Sequence, residues 1–470
     1  MGIRLLERGV TSLTILEKAD SLGGTWRDNV YPGVACDVAA HLYVYSFEPN
    51  PWWRRRFAKG DEILRYYASV ARKYGVEPLI RYGQEATSAE WLGSHWRVRT
   101  AAGAEFEADI VVTATGRLHH PVYPDIAGVS DFKGPAFHSA RWPKDLPLKG
   151  RRVGVIGTGS TATQLTVALA SEVSRFVLFQ RTAQWVLPVA DEPNPLWKRL
   201  WFWINRPAAR AYYRLLETQT EERGAAATGD RAAREARDKL CTDALATVKD
   251  PVLRAKLTPD YEVGCKRLVI SERFYRAVQH PNVELVTEAI DHVAPEGVVT
   301  KDGRLHPLDV LVLATGFDSR AYMRPMQVRG EAGLLLDDLW ADVALNYRSV
   351  AAPHMPNFFM VNGPYSPGGS ASVVSIIETH VKFVLQCIDR VMERRVTLVP
   401  RPERARELLE DIRRRSLESV WGSGGCNSWY LDKHGVPTLD PIPLSVLARQ
   451  MAKVDFEDFE ERPLQDPAWA

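Results

Sequence analysis

The chain has 470 residues, which corresponds to about three domains of roughly 150 residues, or to two domains with an insertion. Apolar residues make up 45% and charged residues 25%, and this ordinary balance excludes a disordered chain, a collagen and a coiled-coil fibre. Lys and Arg total 60 against 58 for Asp and Glu. The net charge of +2 therefore indicates neither a nucleic-acid partner nor an acidic membrane.

The cysteine pattern and the lack of a long apolar run narrow the class further. Five cysteines are scattered without a CxxC pair: Cys36, Cys241, Cys265, Cys387 and Cys426. This pattern argues against a disulfide scaffold, a zinc ribbon and a dithiol redox enzyme, and no metal site is expected. No run of about 18 apolar residues is present, since basic residues interrupt 196–216, and the N-terminus lacks the regions of a signal peptide. A cytoplasmic protein without a membrane partner is expected.

The N-terminal segment SLTILEKADSLGG is typical of the second strand of a dinucleotide-binding βαβ unit. Glu17 occupies the position of an acid that holds a ribose diol. Such an acid follows its glycine motif by about 20 residues, which places that motif and the first strand before Met1. MGIRLLERG then forms the latter part of the first helix, ending near Gly9. We therefore expect a nucleotide-binding domain that lacks its first strand.

A second βαβ unit is complete. A strand at 153–156 leads into a GxGxxA turn, a helix, and the strand SRFVLFQR. The first glycine makes the turn, the second lets a pyrophosphate approach the backbone, and the small last residue packs helix on strand. The predicted dinucleotide-binding residues of this unit are Gly157, Thr158, Gly159, Ser160, Thr161 and Gln164.

The end of the next strand selects the dinucleotide. It reads Gln180-Arg181-Thr182 instead of carrying an acid. An arginine favours a 2′-phosphate because its fork matches phosphate oxygens, so NADP is the predicted ligand. Arg181 as an ordinary surface residue is the alternative.

The remaining elements are predicted from composition and periodicity. Two strands that end in Ala-Thr-Gly, at 109–116 and 308–316, resemble each other and indicate two nucleotide-binding folds. Residues 190–262 are expected to form inserted helices, with Trp197, Trp201 and Trp203 packing on the core. A strand NFFMVNG, a long helix over about 371–392 and an irregular acidic tail from 455 complete the chain.

Two longer motifs are more specific than either glycine turn. One is Gly23-Gly24-Thr25-Trp26-x4-Tyr31-Pro32-Gly33-x3-Asp37, and the other is Phe132-x-Gly134-x3-His138-x3-Trp142-Pro143. At these motifs the chain resembles the class B flavoprotein monooxygenases and, within them, the type I Baeyer–Villiger monooxygenases. S- and N-oxygenating relatives usually end the second motif in Tyr-Lys rather than Trp-Pro. The resemblance covers about residues 3 to 450.

The resemblance implies FAD and NADPH as cofactors, with molecular oxygen and a ketone as substrates and an ester or lactone as product. It implies an α/β fold with two Rossmann-like domains. The expected parts are a first section of the FAD domain (1–144), an NADP domain with the helical insertion (145–325), and a return to the FAD domain with a C-terminal loop (326–470). A monomer or a homodimer is compatible with it.

The resemblance also implies roles for single residues. Arg267 would stabilise the peroxyflavin and the tetrahedral adduct, and Asp37 would hold its guanidinium. Lys266 would contact the 2′-phosphate together with Arg181 and Thr182. The motif from Phe132 to Pro143 would join the two domains and couple their movement, which gives His138 a linking role and not that of a general base. The further expected cofactor contacts are Glu17, Thr25, Trp26, Tyr43 and Trp429.

Two other functions stay open at this point. One is S- or N-oxygenation of soft nucleophiles by the same cofactors. The other is a non-catalytic remnant, or one that binds NADP only, because the turn and helix N-terminus for the FAD pyrophosphate would be absent. Weak or absent FAD binding by residues 1–470 is then expected.

Overall fold

The computed structural model describes residues 1–227, 229–369 and 371–464. The part of the chain up to residue 144 contains short helices and both parallel and antiparallel strands. These are α1 (Gly2–Leu6), α2 (Thr25–Asp28), α3 (Gly60–Lys73), β1 (Ile15–Leu16), β2 (Ile80–Arg81), β3 (Ala86–Trp91), β4 (Trp96–Thr100), β5 (Glu105–Ala108), β6 (Val111–Thr113) and β7 (Ala136–His138).

The part from 145 to 325 alternates strands and helices. Its helices are α4 (Ser160–Leu169), α5 (Leu196–Ile204), α6 (Arg206–Ala225), α7 (Arg231–Ala246), α8 (Pro251–Lys256) and α9 (Phe274–Ala277). Its strands are β8 (Arg152–Ile156), β9 (Arg175–Phe179), β10 (Val186–Leu187), β11 (Val269–Ile270), β12 (Val283–Val286), β13 (Ile290–Ala294), β14 (Gly297–Thr300), β15 (Leu305–Pro307) and β16 (Val310–Leu313).

The part from 326 onward contains the longest helix of the described chain. Its elements are α10 (Leu336–Leu339), α11 (Val373–Arg394), α12 (Pro402–Glu418), α13 (Val420–Ser423), α14 (Leu444–Gln450), β17 (Gln327–Arg329), β18 (Phe358–Met360), β19 (Val396–Pro400) and β20 (Phe459–Pro463). The predicted strand NFFMVNG and the predicted long helix correspond to β18 and α11.

The second βαβ unit forms a five-stranded parallel sheet in the order β12-β9-β8-β16-β7. Its central strands are apolar on both faces because elements cover the sheet on both sides. Val153 and Val155 of β8 and Leu165 of α4 are fully buried in one core, while Ile156 and Leu311 belong to a second core behind the sheet. The predicted parallel sheet at this place is confirmed.

The first part of the chain is joined to the last part by strand pairing. β6, which precedes the first Ala-Thr-Gly, pairs in parallel with β18, and β1 pairs in parallel with β2. In the described residues these are two separate two-stranded sheets. A four-stranded sheet of order β17-β3-β4-β5 lies beside them. Strand β18, which follows the second βαβ unit, therefore pairs with a strand that precedes that unit.

Two predictions from composition are wrong. The acidic tail is not irregular over 459–463, because β20 pairs in antiparallel fashion with β19, and Arg390 binds Glu461 at 2.7 Å. Residues 465–470 of the predicted tail lie outside the described residues. The tryptophans of α5 do not pack on the core: Trp197 is 70% exposed, and Trp201 and Trp203 are also exposed. The inserted helices α5–α8 themselves form as predicted. No helix in the described ranges combines the length and apolarity that a bilayer crossing needs.

Candidate active site

The glycine turn of the second unit joins β8 to α4. Gly157 has a φ of +124°, and a Cβ there would lie 2.3 Å from the Ala314 carbonyl oxygen, so a larger residue cannot replace it. Gly159 has no heavy atom within 4 Å of its Cβ position and no side chain caps α4. The Thr158 hydroxyl fixes the turn by donating to the Thr182 carbonyl at 2.8 Å. An open helix N-terminus of this kind binds a pyrophosphate.

Two cations stand at the end of β9. Arg181 is exposed, and in the described part of the chain it forms no salt bridge. Lys266 lies over the Tyr261 ring with its Nζ 4.7 Å from the ring centroid. Desolvation lowers the pKa of Lys266, and the charge of nearby Arg181 lowers it further against the opposing effect of Asp260. A dianionic phosphate would relieve this repulsion, so the pair fits the 2′-phosphate of NADP.

The first long motif packs directly on α4. The Tyr31 hydroxyl donates to Gln164 Oε1 at 2.8 Å, and Gln164 Nε2 donates to the Ala35 carbonyl at 3.0 Å. Gly33 approaches the helix so closely that a Cβ would lie 2.9 Å from the Gln164 carbonyl oxygen. Burial raises the pKa of Tyr31 to about 12. Gln164 therefore locks the loop at 31–37 to the helix that follows the glycine turn.

This loop carries Asp37 to Arg267. The Arg267 Nη2 donates to Asp37 Oδ2 at 2.6 Å, although 230 residues separate the two in sequence. The negative charge of Asp37 is the main cause that raises the pKa of Arg267, so this guanidinium stays charged. The side chain of Arg267 is still 45% exposed, while that of Asp37 is 19% exposed. A fixed cation thus keeps free surface for a ligand.

Of the other residues predicted to contact FAD, Trp26 and Tyr43 pack in one hydrophobic cluster with Cys36 of this loop. Glu17 directly follows β1, accepts from the Ala19 amide at 2.9 Å and pairs with Arg27 at 3.2 Å. Trp26 Nε1 donates to the Tyr43 hydroxyl at 3.3 Å. Thr25 begins α2 and is exposed. Glu17 is therefore held at a strand end, where an acid can reach a ribose.

The second long motif forms the edge of the second sheet. Its β7 pairs with β16, and a Cβ on Gly134 would meet the Asp309 carbonyl oxygen at 2.3 Å. Phe132 is buried in the core behind the sheet. The Trp142 ring, which precedes Pro143, stacks edge-on against Phe137 with centroids 5.0 Å apart.

His138 is buried in this motif with both ring nitrogens engaged. Its Nδ1 accepts from the Ala140 amide at 3.1 Å, which leaves Nε2 to donate to the Gly316 carbonyl at 3.0 Å. Desolvation lowers the pKa of His138, which keeps the ring neutral. Gly316 ends the second Ala-Thr-Gly. His138 therefore ties the motif to that turn and has no free nitrogen for proton transfer.

A disulfide joins the segment of Lys266 and Arg267 to the C-terminal loop. Cys265 is bonded to Cys426, which is 161 positions further along the sequence, with their Cα atoms 6.0 Å apart. Three residues further on, Trp429 is 42% exposed and contacts buried Tyr430 with the ring centroids 4.3 Å apart and the rings tilted by 53°. The scattered cysteines argued against a disulfide scaffold, and this single bond was not predicted. The other three cysteines are free and buried.

Arg117 and Tyr430 are further members of this region that the sequence did not single out. Arg117 follows the first Ala-Thr-Gly, lies over the Tyr322 ring, and has its Nε and Nη2 buried without a hydrogen-bond partner among the described residues. Arg267 and Arg117 both act on the pKa of Tyr430, which burial raises. The signal available in the sequence was an arginine directly after an Ala-Thr-Gly turn.

The chain is similar to known families and proteins. Residues 36–196 match the family model described as pyridine nucleotide-disulphide oxidoreductase, and residues 1–59 match an NAD(P)-binding Rossmann-like domain. A Baeyer–Villiger monooxygenase of Streptomyces coelicolor is 36% identical over 476 residues, which is 98% of this chain and 89% of the relative. The chain belongs to the Baeyer–Villiger monooxygenase family.

A second relative and a solved structure are also monooxygenases, in agreement with this family. An uncharacterized monooxygenase of Mycobacterium tuberculosis is 43% identical over 455 residues, 95% of this chain and 90% of the relative. The crystal structure of cyclohexanone monooxygenase from Rhodococcus sp. Phi1 bound to NADP+ superposes with a TM-score of 0.88 at 29% identity, covering 98% of this chain and 96% of that one. The protein is thus an FAD- and NADPH-dependent monooxygenase with the α/β fold of that family. The two alternative functions, S- or N-oxygenation and a remnant that is non-catalytic or binds NADP only, are not favoured.

Proposed function

We propose that this protein oxidises a ketone to an ester or lactone by inserting one atom of molecular oxygen beside the carbonyl. The observation that carries the proposal is the ion pair between Arg267 and Asp37, which leaves a permanent, partly free cation beside the glycine-turn helix. FAD, reduced by NADPH, supplies the activated oxygen when both are bound.

Arg267 stabilises the negative charge that develops on oxygen at the reacting centre. A guanidinium is suited to this because it stays charged and donates in a fixed plane. Asp37 is a positioning residue, since its hydrogen bond at 2.6 Å orients the Arg267 fork. Tyr31 and Gln164 support Asp37 indirectly, because they fasten its loop to α4.

The residues present fit NADP along its whole phosphate end. Gly157 to Thr161 would hold the pyrophosphate at the open N-terminus of α4, where the backbone amides are accessible. Arg181, Lys266 and Thr182 would hold the 2′-phosphate, because the two neighbouring cations form no salt bridge within the described residues and are free to bind an anion. Trp429 would cover the bound dinucleotide from the C-terminal loop.

The residues present also fit the ribose and the flavin end of FAD. Glu17, directly after β1, would hold the adenosine ribose, and Thr25, Trp26 and Tyr43 would contact the same cofactor. The buried, unpartnered donors of Arg117 fit an acceptor group of such a ligand. His138, Phe132, Gly134, Trp142 and Pro143 are assigned to the connection between the two nucleotide folds, and not to proton transfer.

The test is product formation by the FAD-saturated protein. NADPH and oxygen are supplied with a panel of linear, cyclic and aryl ketones, and esters are detected by mass spectrometry. Ketone-dependent ester formation with matching NADPH consumption is expected. If sulfides are oxidised while no ketone in the panel yields an ester, the S- or N-oxygenation function replaces this proposal.

A further inference from the structure

Arg117 is a half-buried cation without a carboxylate partner. Its guanidinium forms neither a salt bridge nor a hydrogen bond with any residue that the structure describes. The Nε and Nη2 atoms are enclosed, whereas Nη1 is not fully enclosed. An arginine stays charged, and a charged group that leaves water costs free energy unless it is paired. Arg117 is therefore expected to bind an acceptor that the described part of the protein does not supply.

Arg117 is held next to the C-terminal loop. Its guanidinium lies over the Tyr322 ring, 5.6 Å from the ring centroid. The Thr115 hydroxyl, in the same turn as Arg117, donates to the Tyr322 carbonyl at 3.2 Å. Ser319, on the same segment as Tyr322, donates to the Trp429 carbonyl at 3.3 Å. These contacts bring the first Ala-Thr-Gly turn to the loop that carries Trp429.

Two arginines and one carboxylate act on the next residue of that loop, Tyr430. Burial raises the pKa of the Tyr430 hydroxyl. The positive charges of Arg267 and Arg117 lower this pKa, and the negative charge of Asp37 raises it. Asp37 is already bonded to Arg267 at 2.6 Å, so its charge is committed to that guanidinium. The surroundings of Tyr430 therefore carry one positive charge that no carboxylate among these residues neutralises.

We propose that Arg117 binds a carboxylate on the substrate, so that this monooxygenase takes an acidic ketone whose carbonyl lies at Arg267. This inference rests on the proposed function and names its substrate class. The planar fork of a guanidinium matches a carboxylate with two parallel hydrogen bonds. A carbonyl of the flavin ring can accept a hydrogen bond from Arg117, but it leaves the charge uncompensated. The phosphates of NADP have their own place at the glycine turn and at the two cations after β9.

The test compares ketones that differ only in charge. A homologous series of linear methyl ketones that end in a carboxylate is compared with the methyl esters of the same acids, on the FAD-saturated protein. Calorimetric titration of the oxidised protein measures binding without turnover, and product formation with NADPH gives kcat/KM. We expect the acids to be preferred over their methyl esters at the chain length that fits. The R117Q variant should reduce this preference about tenfold to a hundredfold.

Two further variants are matched controls. R117K keeps the charge without the planar fork, and it should lose less of the preference than R117Q. Arg320 is an exposed arginine on the same segment as Tyr322, and R320Q should keep the full preference. The ratio of acid to methyl ester is compared within each variant, so a change in overall activity cancels. Thermal unfolding and flavin absorbance check that every variant is folded and loaded with FAD.

The carboxylate site and the proposed function can fail separately. Oxygen insertion without a preference for the acids, or with the same preference in R117Q, would overturn the carboxylate site and leave the proposed function intact. An R117Q protein that loses FAD but keeps its preference for the acids would also overturn the site, because Arg117 would then serve the cofactor alone. Binding of an acid that depends on Arg117, without conversion of any ketone, would support the site and refute the proposed function.

Discussion

Arg267 and Asp37 form a 2.6 Å ion pair, although they lie 230 residues apart in sequence. Asp37 precedes the glycine turn at Gly157 and Arg267 follows it. Replacing Arg267 with Ala removes the fixed cation. We expect the rate of ester formation to fall about a hundredfold to a thousandfold, as for loss of a donor to a developing oxyanion. NADPH binding should change little, because the 2′-phosphate ligands remain. Product analysis together with NADPH titration measures both.

Asp37→Asn is the matched variant for this pair. It keeps a hydrogen-bond acceptor near Arg267 but removes the charge that raises the pKa of the guanidinium. A smaller loss than that of R267A is expected. Equal ester yields from R267A and the unaltered enzyme would refute the role assigned to Arg267.

Arg181 and Lys266 should distinguish NADPH from NADH. Charge-assisted hydrogen bonds of this kind contribute about 1.5–3 kcal/mol each, so R181A is expected to raise the KM for NADPH about tenfold to a hundredfold. K266A should do the same, and both should leave the KM for NADH nearly unchanged because NADH has no 2′-phosphate. Steady-state oxidation of the two nucleotides gives the comparison. A parallel loss with both would contradict a phosphate site here.

The Cys265–Cys426 bond should stabilise the fold and hold the C-terminal loop. A cross-link that closes a loop of this length typically contributes about 2–5 kcal/mol by restricting the unfolded chain. We expect C265S/C426S, or treatment with a dithiol reductant, to lower the midpoint of urea unfolding. C241S is the control for a buried free thiol. Peptide mapping without reduction should find the linked pair, and its absence under oxidising conditions would refute the bond.

Buried histidines should make stability fall on acidification. Burial lowers the pKa of His380 to about 4 and that of His41 to about 3. The unfolded chain binds protons at these residues below a pH of about 6.5, whereas the folded protein does not until much lower pH. The free energy of unfolding should therefore decrease from about pH 6.5 downward, by about 2 kcal/mol for each histidine at pH 5.

Urea unfolding at pH 7.5 and pH 5 measures this slope. His380→Asn removes one of these titrating groups, and the stability of the variant should depend less steeply on pH than that of the unaltered protein. An unchanged slope in this variant would show that His380 binds protons over the same pH range in the folded protein as in the unfolded chain.

The βαβ unit at 152–179 was predictable because it depends on local chemistry. A β-branched strand, a glycine turn and a small-residue helix occur in sequence, and Gly157 admits no side chain where the strand ends. The contact of Arg267 with Asp37 was predictable only through resemblance to a family, since no spacing rule relates residues so far apart. The disulfide from Cys265 to Cys426 was not predicted for the same reason, because its two residues are also far apart in sequence.

The error at α5 has a different origin. Apolar periodicity identifies one face of a helix, but it does not say whether that face is turned to the core or away from it. In α5 the side that faces the protein carries Phe202, which is buried, and Lys198, which lies over the Tyr212 ring. The tryptophans are therefore on the outward side of the helix. The tail at 459–463 was misjudged for a related reason. Its acidic residues pair with arginines such as Arg390 once β20 joins β19.

The most direct test of the central claim is isotope incorporation. The FAD-saturated protein is given NADPH and a ketone that it converts, under ¹⁸O₂ in ordinary water, and the ester is analysed by mass spectrometry. Oxygen insertion at the site of Arg267 predicts one heavy oxygen in the ester, at the position between the former carbonyl carbon and its neighbour. NADPH consumption that yields hydrogen peroxide and no labelled ester from any ketone would contradict it.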